Sequence, residues 1–305
     1  MIESQNISKE ESMIDIVILG TGAMTPLPNR HLSSMILRHN GRQILVDCGE
    51  GTQVAIREYG YGIKSIDGIA ITHFHGDHFF GLPGLLHSLE QAGRTEPVWV
   101  AGPEGLEEMM ERILAMTRDL HFQVKLRRED HFESNGLVIE TFPLTHRIAS
   151  QGYKFTLTRP GKFLPEKATD LGIPLELWSR LQAGETVGEF SPEMVMGPQR
   201  EGITVVYATD TRPSETIVRA SEGADLLIMD GTYPDNNKAE HAVKYGHMTF
   251  PEAANLAKEA RVKEAWLTHF SHSIEDPDES LEAARKIFEN IHLSYDGKMK
   301  TLGFA

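Results

Sequence analysis

The stretch from Ile66 to His78 constrains this chain more than any other. Ile66 to Thr72 is an apolar run that reads as a strand, and it passes directly into His73-Phe74-His75-Gly76-Asp77-His78. Three imidazoles and a carboxylate within six residues, just past a strand end, suit a divalent ion such as zinc. Residues i and i+2 of an extended segment point the same way, so His73 and His75 can converge on one ion. A tight turn at Gly76 lets Asp77 and His78 face a second. Any one of these histidines alone would read as structural; the density of the cluster argues otherwise.

A metal pair needs more ligands than one loop supplies, and three later residues sit at strand ends where such ligands belong. His146 follows the expected strand Leu137 to Pro143, Asp210 follows Val205 to Ala208, and His269 ends Ala265 to Leu267. Seven ligands are too many for one tetrahedral zinc.

Other elements alternate along the chain. Ile14 to Leu19 reads as a buried strand closed by Gly20-Thr21-Gly22. Leu32 to Arg38 and Gln43 to Asp47 read as strands joined by the hairpin dipeptide Asn40-Gly41. Val98 to Ala101, Phe122 to Leu126, Gln151 to Thr158, Ile203 to Ala208 and Leu226 to Met229 are further expected strands. Helices are expected at Thr52 to Tyr59, Leu82 to Ala92, Gly105 to Met116, Ser214 to Ala220 and Ser280 to Glu289. Another opens at the capping box Thr249-Phe250-Pro251-Glu252 and runs to Ala260. Two mixed halves of this kind predict two sheets packed face to face with helices outside, an α/β sandwich in one domain spanning residues 1 to 305. Residues 159 to 200 break the alternation with five prolines and read as an inserted, protruding arm.

Net charge decides which partners to expect. The chain carries 30 Lys and Arg against 44 Asp and Glu, a balance of −14, which argues against non-specific coating of nucleic acid. A nucleic-acid enzyme remains open, because metal cations and a local basic patch can outweigh the mean. No run of about 18 apolar residues occurs, so no membrane span is expected. The polar, acidic segment before Ile14 lacks the order of a secretory signal, and the single cysteine, Cys48, excludes an internal disulfide. A cytoplasmic protein is the expectation.

At this point the chain resembles the metallo-β-lactamase superfamily, and within it ribonuclease Z, the tRNA 3′-processing endonucleases. The matching residues are Gly20-Thr21-Gly22-Ala23, Asp47-Cys48-Gly49-Glu50-Gly51-Thr52-Gln53, Thr72 to His78, and Gly81-Leu82-Pro83-Gly84-Leu85-Leu86. Gly197-Pro198, Asp210-Thr211-Arg212 and Leu267-Thr268-His269 follow, so the resemblance runs from about Ile14 to the C-terminus. It implies the four-layer αββα sandwich and two Zn2+ per chain, with Mn2+ or Fe2+ also suited to the carboxylate. One zinc would be held by His73, His75 and His146, the other by Asp77, His78 and His269, with Asp210 between. A hydroxide held between the ions would attack the phosphorus, with Asp77 as general base. Asp47 would orient a ligand histidine from behind.

The same resemblance makes His247, in Gly246-His247-Met248-Thr249, the proton donor to the leaving oxygen, held by Asp230. Arg212, and Lys162, Lys167 and Arg180 in the arm, are candidates to contact the substrate. A tRNA precursor and a homodimer are the implied partners. Departures are visible too. Met229-Asp230-Gly231-Thr232 stands where the family has His-Glu-Ala-Thr, so the shorter Asp230 must reach further. Ser273 stands where the family has a phosphate-contacting arginine, and the arm's inner Gly-Pro is replaced near Leu175-Glu176. Residues 159 to 200 carry five Lys or Arg against six Asp or Glu, so the arm is not basic. A small or cyclic phosphodiester is therefore the alternative substrate.

Overall fold

Ile14, Ile16 and Ile18 of β1 (Met13–Gly20) face one way, Val17 and Leu19 the other, and all five are buried. Such a strand has no solvent face, which is why its sequence reads as a continuous apolar run and not as an alternation. The computed structural model describes residues 13–117, 119–272, 274 and 277–304. The acidic segment before Met13, and Ser273, lie outside the described residues.

The first sheet joins β1 to β2 (Ser34–His39), β3 (Arg42–Val46), β4 (Ile66–Ala70), β5 (Val98–Ala101) and β6 (Val124–Arg127) in that order. The second runs in order from β7 (His131–Ser134) through β8 (Leu137–Pro143), β9 (Gln151–Arg159), β10 (Arg200–Ala208), β11 (Leu226–Asp230) and β12 (Ala265–Thr268) to β13 (Ile291–Leu293). The last strand, β14 (Met299–Gly303), returns to the first sheet beside β1, pairing Met13 with Gly303. The turn at Asn40-Gly41 has φ of 49° and 73°, the doubly left-handed geometry of a tight hairpin.

The inner faces make one core. Ile16, Leu37, Val46 and Trp99 of the first sheet meet Phe155, Val205, Tyr207 and Trp266 of the second. Val17, Ile36 and Leu45 turn outward onto the helices Thr52–Glu58, Leu82–Gln91 and Leu106–Met116. Val206, Leu227 and Leu267 turn outward onto the helices Glu215–Ser221, Phe250–Glu259 and Pro277–Arg285. The expected four-layer sandwich is the observed one. The helix predicted at Ser280 to Glu289 begins earlier, at Pro277, whose fixed φ suits a first turn. The strands β7, β13 and β14 and the helix Ala239–Tyr245 were not expected. Each is short and exposes much of its length, so the apolar signal is weak.

Between β9 and β10 the chain leaves the sheets, and four side chains, Ala168, Ile173, Leu181 and Val195, form a separate small core under Phe163 and Trp178. Lys162, Lys167 and Arg180 lie exposed on this excursion, with the Arg180 guanidinium donating to Glu185 at 2.7 Å.

Candidate metal centre

Every expected ligand sits at the C-terminal end of a strand. β3 leads to Asp47, β4 to His73 through His78, β8 to His146, β10 to Asp210, and β12 to His269. These ends open on one edge of the sandwich because β3 and β4 run parallel, as do β10, β11 and β12. Asp47, Asp210 and His269 hold φ of 58°, 54° and 60°. The left-handed region is sparsely used by residues with a side chain and costs of order 1–3 kcal/mol each. The strain turns each side chain off its strand axis toward the others.

Two loops are pressed together to do this. Cys48 N donates to His78 O at 2.7 Å, and Gly81 N to Cys48 O at 2.9 Å. A Cβ at Gly49 would lie 2.5 Å from Asp77 O, and one at Gly81 would lie 2.1 Å from Gly49 O. The two glycines permit an approach that any side chain would prevent.

The ligand atoms fall into two groups. His73, His75, His146 and Asp210 present atoms all within 4.8 Å of one another, and so do Asp77, His78 and His269. Asp210 divides its oxygens between them. Oδ2 lies 3.6 Å from His73 Nε2 and 3.9 Å from His146 Nε2, while Oδ1 lies 3.2 Å from both His78 Nε2 and His269 Nε2. His78 Nε2 and Asp210 Oδ1 are buried without a hydrogen-bond partner among the described residues. Leaving a buried polar atom unpaired costs about 1–3 kcal/mol, and cations between the two groups would satisfy both. Burial pushes the His73, His75 and His146 imidazoles below their ordinary pKa, so they present lone pairs. Burial raises the Asp77 carboxyl, but the His269 hydrogen bond and the neighbouring His78 and His269 charges outweigh it and hold it low. The residues present therefore fit a pair of divalent ions.

Behind the ligands three of the rings, those of His78, His146 and His269, are fixed from their far sides. Asp47 accepts from His78 Nδ1 at 2.8 Å and from Thr72 N at 2.8 Å. His146 Nδ1 lies 3.0 Å from Gly246 O, and Thr232 Oγ1 lies 3.0 Å from His269 Nδ1. Since Asp47 sets which nitrogen of His78 faces the centre, Asp47→Ala is expected to weaken metal affinity about 10- to 100-fold, read by chelator competition. Unchanged affinity would make Asp47 a strand-end carboxylate and nothing more.

Asp230, despite its shorter side chain, meets His247: Nδ1 to Oδ2 is 2.8 Å. Asp230 also accepts from Thr211 N, Thr232 N and Met248 N, so it has no capacity left for an ion although it neighbours the ligands. Burial pushes the His247 imidazole down, but Asp230 and the more distant Asp210 carry it up to about 9. His247 thus lies beside the ligands, with Thr232 Oγ1 3.2 Å from its Nδ1.

Arg212 departs from expectation. Its guanidinium forms a two-pronged pair with Glu252 at 2.5 and 2.9 Å and donates to His247 O at 2.6 Å. These bonds use three of its five donors and tie it to the His247 loop. A cavity of about 570 Å³ opens over the ligands, lined also by Arg147, Tyr233, Lys238, His241 and Tyr245. Sequence reasoning missed these five. Four of them belong to the unread helix region after Asp230, and Arg147 carried no signal beyond its place next to His146.

A family model described as anti-Pycsar protein Apyc1 matches residues 14–289. The ribonuclease Z of Agathobacter rectalis is 45% identical over 300 residues, covering 96% of this chain and 99% of its own. The ribonuclease Z of Clostridium perfringens is 44% identical at the same coverage. The chain belongs to the ribonuclease Z family. The short form of human tRNase Z, 27% identical, covers 94% of this chain and 98% of its own with a TM-score of 0.67. The metallo-β-lactamase fold protein YhfI of Bacillus subtilis, 20% identical with a TM-score of 0.71 over 95% of this chain and 99% of its own, shares the fold. The motif resemblance is borne out, and ribonuclease Z membership makes this chain a metal-dependent hydrolase. No described helix is long and apolar enough to cross a membrane.

Proposed function

We propose that this chain is a two-zinc endoribonuclease that removes the 3′ trailer from tRNA precursors in the cytoplasm. One observation carries the reading: Asp210 divides its two oxygens between two groups of histidines, and the His247–Asp230 pair stands beside them in one open cavity. His73, His75 and His146 would hold one ion, Asp77, His78 and His269 the other, with Asp210 shared. Zinc rests on the histidine-rich set; Mn2+ or Fe2+ would also suit the shared carboxylate. When bound, such a pair supplies Lewis acidity to the phosphoryl oxygens and brings the pKa of water to about 7.

The chain's own residues do the rest. Asp77, bonded at Oδ2 by Met24 N at 2.7 Å, stands to take a proton from the attacking water. His247, flanked by the His146 and His269 rings, would give a proton from Nε2 to the leaving 3′ oxygen, while Asp230 keeps Nδ1 occupied. Arg147 and Lys238 at the rim supply positive charge for phosphates. The arm, with Lys162, Lys167 and Arg180, would dock the body of the RNA, in a homodimer across to the partner's cavity.

The test offers the metal-loaded protein a tRNA precursor with a 3′ trailer and a nitrophenyl phosphodiester. The precursor is expected to be cleaved with much the higher kcat/KM. Replacing residues 160 to 197 with a short Gly/Ser linker should then raise KM for the precursor and alter the small substrate far less, as loss of uniform binding does. Efficient hydrolysis of the small ester with no cleavage of the precursor would move the assignment to small or cyclic phosphodiesters.

A further inference from the structure

A second cleft, of about 500 Å³, lies behind the loops that carry the ligands. Phe270 N donates to Thr21 O at 2.8 Å and Ala23 N to Phe270 O at 3.2 Å, which ties the end of β1 to the end of β12. Thr21 and Phe270 line this cleft, whereas their chain neighbours Ala23 and His269 line the cavity over the ligands. The two spaces therefore stand back to back across one backbone bridge.

The cleft is cationic in an acidic protein. Arg30, Arg285 and Lys298 line it, and among the described residues Asp296 is its only acidic lining residue. That carboxylate is consumed: it accepts from Thr21 N and Thr21 Oγ1 at 2.9 and 2.7 Å and from His31 N. Arg30 rests over the Phe270 ring and has no ion pair among the described residues, and Arg285 stands 3.8 Å from Glu282. Lys298 is held in place by Leu293 O at 2.7 Å and by the Trp266 ring, 4.1 Å from its nitrogen. Burial lowers that ammonium to about 8, so it still carries most of its charge at neutral pH.

The deciding atom is a hydroxyl. Ser294 lines the same cleft at 5% exposure, and its buried Oγ has no hydrogen-bond partner among the described residues. A buried hydroxyl of this kind is a donor waiting for an acceptor. Three cations, a spent carboxylate and a free hydroxyl donor together describe a receptor for an anion with oxygen acceptors.

We propose that this cleft is a phosphate subsite that holds a backbone phosphate of the RNA at a distance from the scissile bond. The proposal rests on the tRNA-processing reading. It offers a physical account of how an acidic chain whose arm is not basic grips RNA: cations are gathered at one cleft beside the catalytic edge.

Ser294→Ala and Arg285→Gln test it. Ser294 Oγ bonds nothing in the fold and Arg285 is exposed, so both variants should melt as the parent does. Affinity for a fluorescent tRNA precursor is read by anisotropy in the His247→Ala background, where cleavage is slow. Arg285→Gln should reduce the slope of log K against log salt by about 0.7–0.9, the share of one phosphate contact. Ser294→Ala should weaken binding by at least about fivefold, as loss of a hydrogen bond to a charged group does. Wild-type affinity and slope in both variants overturn the subsite. So does a result in which inorganic phosphate binding, read by calorimetry, depends on both residues while RNA binding does not, because the cleft would then serve a free anion. If the parent cleaves only the small ester but its RNA affinity still falls with both variants, the subsite stands and the proposed reaction fails.

Discussion

His247→Ala is expected to slow cleavage of a tRNA precursor by about 10²- to 10⁴-fold, the range for loss of a positioned acid. The side chain sits at the edge of the ligand cluster with Nδ1 bonded to Asp230 at 2.8 Å, which leaves Nε2 as the atom that can deliver a proton. It is not among the seven expected ligands, so metal content should stay at the parent's level. The loss should depend on the leaving group. A 3′ oxygen departs as a strong base and needs the proton, whereas a nitrophenolate departs unaided. The variant should therefore recover most of its turnover on the nitrophenyl ester. Asp230 is the poorer probe, because it also anchors the backbone of Thr211, Thr232 and Met248, and its replacement would move the ligand loops as well. Equal losses on both substrates, with unchanged metal content, would reassign His247 from proton delivery to positioning of the loop that Arg212 grips.

Much of this site was legible because its chemistry is concentrated in sequence. His73, His75, Asp77 and His78 fall in one turn after a strand, and imidazoles at that density have few structural explanations. His146, Asp210 and His269 were legible only by their place at strand ends, a signal that means little until the first cluster is accepted. The strands of both sheets read clearly wherever they are covered on both faces, as in Ile14 to Leu19. They faded at β13 and β14, where few apolar residues remain. What could not be read arises from tertiary register. Nothing local says that Asp47, Asp210 and His269 adopt left-handed backbone, since the strain is imposed by the packing of neighbouring strands. Nothing local says that the Arg212 guanidinium meets Glu252, forty residues away in sequence. In sequence Arg212 resembles a phosphate contact, and in space it also braces the His247 loop. The cleft cations Arg30, Arg285 and Lys298 are likewise scattered along the chain and meet only in the folded protein.

Asp210→Ala should have the largest effect of any single change, removing both ions and with them activity on every phosphodiester. Its two oxygens are the only described atoms that face both histidine groups, at 3.6 and 3.9 Å on one side and 3.2 Å on the other. Deleting them leaves three ligands for each ion and takes away the charge that offsets two adjacent dications. Asp77→Ala is the informative contrast. It touches only the group with His78 and His269, so it should lose one ion and keep the other near His73, His75 and His146. Metal analysis per chain should give about two, one and none for the parent, Asp77→Ala and Asp210→Ala. Stability supplies a readout independent of activity. A ligand at 1,000 times its Kd stabilises the folded state by about 4 kcal/mol, which for a chain of this size is on the order of 10 °C in melting temperature. Chelation should therefore lower the parent's melting temperature by that order and leave Asp210→Ala almost unmoved, because it has no ions to lose. A parent whose melting and turnover are indifferent to chelation, or an Asp210→Ala protein that still holds two ions, would mean that the histidines are satisfied by each other and that Asp210 does not join two metal sites.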